Sequence, residues 1–204
     1  MILRFWFDLG WSPRTLHGIR NLSTKAPGYV HINALEFIVV ILQLAAINVR
    51  FAGLKPGSVS EYFPTGMPAI PVWHGETNNT TSKSWENRAT AKTSSGQGLV
   101  SVYAELLRVS NVHTKCDHLA GELNVVADDI SRNDFSLDSP ARCAQLFQTH
   151  PFLASLDIFI PSPGLLQLLT LRLYSRHTPG PCVLPTVLGR FVPAGCTTFG
   201  TATI

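Results

Sequence analysis

The sequence predicts an α/β protein. Three observations indicate this class: helical and strand-like apolar patterns alternate along residues 33–132, 45% of the 204 residues are hydrophobic, and only 14% are charged. A chain of this length and composition can bury one core and carry a small appendage. So few charges argue against disorder along the whole chain.

The first predicted element is a helix over residues 33–48. Asn33 is a good N-cap, Glu36 stands three residues later as in a capping box, and no Gly or Pro interrupts the segment. The helix is apolar on almost every side, so we expect it to be buried. Its β-branched residues leave a strand open as an alternative for part of its length.

The following elements alternate in the same way. Gly and Pro punctuate a loop that precedes a short strand, whose Pro71 favours an edge position. A polar stretch then leads to an amphipathic helix. In order, the predicted segments are loop 52–68, strand 69–75, helix 99–110, strand 112–121 and a short helical turn in 124–132.

The character of the chain changes after residue 132. We place a boundary within 133–150, which divides a domain at 1–132 from a linker and tail at 133–204. A helix is predicted from Gly164 to Tyr174. The Pro- and Gly-rich sequence from Pro179 onward predicts an extended, poorly packed tail.

Charge and cysteine content limit the function classes. The net charge of +3 permits a nucleic-acid partner without requiring one. Four scattered cysteines are too few for a disulfide scaffold, and the N-terminus lacks the order of a secretory signal. The longest apolar run, 37–47, is about half the length that crosses a bilayer. We therefore expect a reduced, intracellular protein.

Carboxylates in apolar surroundings are the candidate functional groups, because a buried carboxylate is unfavourable unless it is paired or bound to a cation. Glu36 is either the capping-box residue of its helix or such a site. Asp128 and Asp129 can form surface ion pairs with Arg132 at helical spacing. The apolar residues just before them imply instead that one carboxylate faces inward.

Two further groups have competing interpretations. Glu76 follows a predicted strand, where carboxylates from neighbouring elements can hold divalent ions, or it lies in a polar loop that caps a helix. His113, Cys116 and His118 suggest zinc, but no fourth ligand with recognisable spacing follows them.

Three segments together resemble a known family. "HINALEF" (31–37), "NNTTSKSW" (78–85) and "HLAGELNVVADDISR" (118–132) are similar to successive motifs of the ribonuclease H domain that follows reverse transcriptase in retroelements. The resemblance spans roughly residues 3–195 and is closest to DIRS-type elements. The last motif, G-x-x-N-x-x-A-D-x-[LI]-S-R, is filled at every fixed place by Gly121, Asn124, Ala127, Asp128, Ile130, Ser131 and Arg132.

The resemblance implies a fold, a cofactor and a substrate. The fold would be a ribonuclease-H-like mixed sheet of five strands with flanking helices, its N-terminal strands partly missing here. Two Mg²⁺ ions would promote cleavage of the RNA strand of an RNA–DNA hybrid. Glu36 and Asp128 would be metal-binding carboxylates, with Asp129 on the solvent side.

The departures from the family pattern concern the active site. The family uses four carboxylates in the order Asp, Glu, Asp, Asp. The first would lie on a strand before "FWFDLGW" (5–11), and we expect the chain to begin after that strand, since Asp8 has no matching context. The third place is Asn78, where Asp is expected. Glu76, whose side chain is one methylene longer than that of Asp, is a candidate substitute for this missing carboxylate. However, catalytic geometry tolerates little misplacement.

We therefore expect a truncated, degenerate ribonuclease H domain, once part of a retroelement polyprotein, that does not hydrolyse RNA. One alternative is a non-catalytic nucleic-acid-binding module, in which Lys83, Arg88, Lys92 and Arg108 meet phosphates and Trp85 approaches the backbone. In the plainer interpretation, Trp85 is core and the basic residues are solvated. The third alternative is a genomic relic with no selected activity.

Overall fold

The computed structural model describes residues 5–6, 31–51, 72–77, 79–110, 112–120, 145, 147–155, 157–175 and 180–193. Helices and strands are mixed along this part of the chain, so the α/β class is confirmed. The helices are α1 (Ile32–Phe51), α2 (Thr80–Arg88), α3 (Ser94–Ser110) and α4 (Pro163–Leu173), with a short 3-10 helix at Pro151–Ser155. The strands are β1 (Phe5–Trp6), β2 (Val72–Thr77), β3 (His113–His118), β4 (Asp157–Pro161) and β5 (Gly189–Pro193).

Helix α1 is the centre of the core. Phe37, Ile38, Ile41 and Leu42 are fully buried, and seven further residues of the helix are buried as well. The helix packs against α3 and α2 and also against β4 and β5. Its burial on most sides, expected from the apolar sequence, is confirmed, and the strand alternative is wrong.

Helix α1 is longer than the apolar run suggested. The window Asn33–Arg50 is long and apolar enough to cross a membrane, and α1 is the one helix of the described residues that meets this test. However, 61% of that window is buried within the protein. Length and composition alone would class the helix as a span, whereas its contacts are those of a core helix.

Helices α2 and α3 form within a stretch that looks polar and glycine-rich. Asn79 caps α2, its side-chain oxygen accepting hydrogen bonds from the backbone N–H groups of Thr81 and Ser82. Helix α3 begins at Ser94, five residues before the predicted start. Gly98 lies inside it because a Cβ there would come within 3.0 Å of the Arg172 carbonyl oxygen of α4. Close helix packing therefore outweighs the low helix propensity of glycine.

The described strands form two separate sheets. Strands β2 and β3 pair in parallel, with Val72 opposite His113 and Thr77 opposite His118. Strand β4 is central in the other sheet, parallel to β1 and antiparallel to β5. The two helices between β2 and β3 supply the long connection that a parallel pair requires.

The C-terminal segment is better packed than its composition predicts. The predicted helix is confirmed as α4, whose N-cap Ser162 accepts a hydrogen bond from the Leu165 backbone N–H. Residues 180–188 are extended, as expected, but Leu184 and Leu188 pack against the core and β5 joins a sheet. The expectation of poor packing is therefore wrong for residues 180–193.

Described residues on both sides of the proposed boundary share one hydrophobic cluster. Phe159 and Leu169 belong to the same buried group as Phe37 and Tyr103. Arg50 at the end of α1 also forms an ion pair with Asp157 of β4, at 3.3 Å. The division at 132/133 stays a prediction about chain organisation, while these contacts bring the segments together.

Candidate active site

The start of α1 meets the carboxyl end of β2. The side-chain amide of Asn79, two residues after β2, donates a hydrogen bond to the Asn33 side-chain oxygen at 2.9 Å. The Ser82 hydroxyl donates to the Asn33 carbonyl at 3.4 Å. Two segments separated by 46 residues are thereby joined at the edge where parallel strands of α/β proteins commonly place ligands.

Glu36 lies at this junction and is half-buried. Its Oε2 is buried without a hydrogen-bond partner among protein atoms. Burial raises the pKa of the Glu36 carboxyl above its ordinary value, and a hydrogen bond with the Asn79 side chain partly offsets this effect. A carboxylate oxygen left without a partner is unfavourable for folding, so Glu36 is a candidate ligand for a cation.

The capping-box interpretation of Glu36 is wrong. Helix α1 begins at Ile32, so Asn33 lies inside the helix instead of at its cap. The Asn33 backbone N–H donates instead to Nδ1 of His31, at 3.2 Å. The side chain of Asn33 bonds to Asn79, an interaction across the fold that no local pattern shows.

Glu76 lies on β2 but not beside Glu36. The neighbouring Gly75 faces α1, since a Cβ built on it would lie 3.9 Å from Oε1 of Gln43. Side chains alternate along a strand, so Glu76 points to the opposite, exposed face. The described structure therefore does not bring Glu76 and Glu36 together.

Asn78, Asp128 and its neighbour Asp129 lie outside the described residues. Within the described part of the chain, no group of three or more His, Cys, Asp or Glu side chains could hold a metal ion. Glu36 by itself supplies too few oxygen ligands for Mg²⁺.

The zinc hypothesis also finds no support in the described residues. Cys116 is 1% exposed and points into the core from β3, whereas His113 and His118 are exposed. Burial raises the pKa of the Cys116 thiol to about 12, so it stays protonated near neutral pH. A protonated thiol is a poor metal ligand.

The sequence analysis missed a buried polar cluster beneath β3. The carboxyl of Glu86 on α2 is 7% exposed and interacts with the side chains of Cys116, Tyr103 and Thr114. Burial raises the pKa of Glu86, and these hydrogen bonds partly offset the rise. Burial and the nearby Glu86 carboxyl raise the pKa of Tyr103 well above its ordinary value.

A sequence signal for this cluster existed in α2. Ser82 and Glu86 are four residues apart and flank Trp85, the one large apolar residue of the helix. Residues at this spacing share the buried face that an aromatic residue marks. The sequence analysis missed this buried face because most residues of the helix are polar.

The basic residues lie around α2 as predicted. Arg88 and Lys92 are exposed, and no described residue forms an ion pair with them. Lys83 is partly exposed and lies 3.9 Å from Asp117. Arg108 forms an ion pair with Glu105, and its Nη2 and Nε donate hydrogen bonds to the two carboxylate oxygens at 2.6 and 2.8 Å.

Trp85 belongs to the core. Its ring meets Phe37 edge-on, with the ring centroids 5.5 Å apart, and Gly96 packs closely against it. Trp85 is thus partly buried and packs against the core, which supports this part of the plainer interpretation. Contact of the basic residues with nucleic acid stays a prediction.

Comparison with known proteins finds no match to a family model, to a curated protein or to a solved structure. Any assignment of function therefore rests on the residues and geometry of this chain.

Proposed function

We propose that this chain is a degenerate ribonuclease H domain of retroelement origin that has lost hydrolysis of RNA–DNA hybrids. The observation that carries the proposal is the unpartnered carboxylate oxygen of Glu36 at the carboxyl end of β2. The resemblance puts the second active-site carboxylate at Glu36 and the third at the residue just before Asn79. The hydrogen bond between the Glu36 and Asn79 side chains supports the proposal that these two places lie close together.

The order of elements agrees with the proposal. The resemblance implies a helix, a strand, two helices and a second strand, in that order, after the N-terminal strands. The described residues contain α1, β2, α2, α3 and β3 in this order, and β2 pairs with β3. The motif with Asp128 begins at His118, the last residue of β3, so the proposal expects its ligand at the same end of this parallel pair.

The loss of activity follows from the donor atoms. Two-metal hydrolysis needs several anionic oxygens that hold the ions about 4 Å apart. The neutral amide of Asn78 replaces one of them, and Glu76 lies on the other face of β2. Glu36 and Asp128 alone are too few to hold two divalent ions in the family geometry.

The proposal is tested by Mg²⁺ calorimetry and by a hybrid cleavage assay on the purified chain. We expect neither Mg²⁺ binding nor cleavage from the natural sequence. The variant Asn78→Asp should gain measurable Mg²⁺ binding, because it restores the carboxylate that the resemblance places next to Glu36. Gln97→Glu, which adds the same charge at an exposed position of α3, is the matched control and should gain none.

Two results would contradict the proposal. Mg²⁺-dependent cleavage by the natural chain, abolished by Asp128→Asn, would mean that the site is active. Absence of Mg²⁺ binding in a folded Asn78→Asp variant would mean that positions 36, 78 and 128 do not converge, and the ribonuclease H assignment would fail.

Non-catalytic nucleic-acid binding is the second candidate function. It is favoured by the exposure of Arg88 and Lys92 without an ion-pair partner among the described residues. Phosphate contacts release counterions, so hybrid affinity should fall steeply with salt and fall less steeply in an Arg88→Ala/Lys92→Ala variant. No binding at low salt would rule this function out.

A further inference from the structure

The two edges of the β2–β3 pair differ. The Leu119 backbone N–H donates to the Thr77 carbonyl at 2.9 Å, so the peptide group of Thr77 faces β3. Peptide groups alternate in direction along a strand. The odd-numbered residues of β2 therefore bond to β3, and the N–H and C=O groups of the even-numbered residues form the outer edge of β2.

The outer edge of β3 is blocked by a side chain. The amide of Asn87 donates to the Cys116 carbonyl at 3.0 Å, and its oxygen accepts from the Cys116 N–H at 3.2 Å. This side chain occupies the place of a neighbouring strand. No described residue pairs in this way with the outer edge of β2, and Val72 at its start is 65% exposed. Proteins usually block the edges that must not pair.

We propose that the outer edge of β2 is a self-association surface, which pairs antiparallel with β2 of a second copy of this chain. The pairing places His74 of each copy opposite Glu76 of the other. It joins the two parallel pairs into one four-stranded sheet with twofold symmetry about Gly75. The inference is independent of the proposed function.

Complementary side chains select this partner and this register. His74 and Glu76 are both on the exposed face of the pair. Edge hydrogen bonds require the even-numbered residues of the two strands to face each other, so only a few registers are possible. A shift that puts His74 opposite itself also puts Glu76 opposite Val72. The proposed register alone places an imidazole opposite a carboxylate twice, because symmetry repeats the contact.

The local charges around His74 are compatible with this contact. Nε2 of His74 lies 2.6 Å from Oδ2 of Asp117, and Lys115 lies 3.2 Å from the same oxygen. Nε2 of His74 therefore meets Asp117, and Nδ1 is the ring nitrogen left to meet Glu76 of the second copy. Glu76 forms no ion pair with any described residue.

The test is sedimentation of the full chain at concentrations from about 1 to about 100 µM. We expect a monomer–dimer equilibrium. His74→Pro removes an outward N–H, which an edge strand tolerates, together with the imidazole and its contact with Asp117. It should yield a folded monomer with an unchanged circular dichroism spectrum. A monomer at all concentrations, or a dimer that survives this variant, would overturn the proposal.

Charge variants test the register without a backbone change. Glu76→Lys places a lysine opposite His74 and should weaken the dimer about tenfold. The double variant His74→Glu/Glu76→Lys restores opposite charges and should recover dimerisation. Gln97→Lys, on the exposed side of α3, is the control and should have no effect. Failure of the double variant to recover, or binding only of a different protein's strand, would refute pairing with a second copy.

Discussion

Replacing Glu36 with glutamine should stabilise the protein at neutral pH. The buried Oε2 of Glu36 has no protein partner, and burial raises the pKa of the carboxyl. Glutamine keeps a polar atom at this place but carries no charge, so the substitution removes only the desolvation cost of the carboxylate. At a half-buried position, that cost is about 1 kcal/mol. For a chain of this length, that corresponds to a rise of about 2–4 °C in Tm.

The pH dependence of the effect follows from the direction of the pKa shift. The folded state holds the proton of Glu36 more tightly than the unfolded state, whose carboxyl titrates near 4.5. The stability contributed by this group is therefore complete below that pH and is lost as the pH rises through the raised folded pKa. The advantage of Glu36→Gln should be largest at neutral pH and should vanish in acid.

Urea unfolding at neutral and at acidic pH, followed by tryptophan fluorescence, measures both predictions. Glu76→Gln removes the same charge from an exposed position and is the matched control, expected to leave the free energy of unfolding unchanged. A Glu36→Gln variant that is less stable than the natural chain at neutral pH would refute the reasoning. It would mean that the carboxylate has a stabilising partner.

Three further changes should have measurable effects. Asn87→Ala removes both hydrogen bonds to the Cys116 backbone and should lower the free energy of unfolding by about 1–3 kcal/mol in urea titrations. An unchanged free energy would mean that the β3 edge does not need this side chain. Trp85→Ala removes core packing and should cost about 2–4 kcal/mol in the same assay, whereas a surface Trp85 would cost almost nothing. Cys116 should resist alkylation in the native protein and react in urea, because its thiol is buried with a pKa of about 12. Peptide mass spectrometry measures this reaction. Equal alkylation rates in the native and the urea-unfolded protein would contradict the burial of Cys116.

Much of the secondary structure was predictable from local sequence. The apolar run identified α1, the amphipathic pattern identified most of α3, and Ser162 followed by Pro163 marks the start of α4. These signals are local, because capping and hydrophobic periodicity act within a few turns of the chain. The early start of α3 was missed because its glycines serve packing between helices.

The sequence by itself determined the order of the elements, the motif resemblance and the choice of Glu36 as a candidate. Only the tertiary structure decided that Glu36 has an unpartnered oxygen, that Glu76 faces the other way, and that Glu86 is buried. The physical reason is the range of the interactions. The burial of a side chain, the lack of a partner for an oxygen atom and the Asn33–Asn79 hydrogen bond all depend on residues far apart in the chain. Local sequence patterns carry no information about which distant groups will meet.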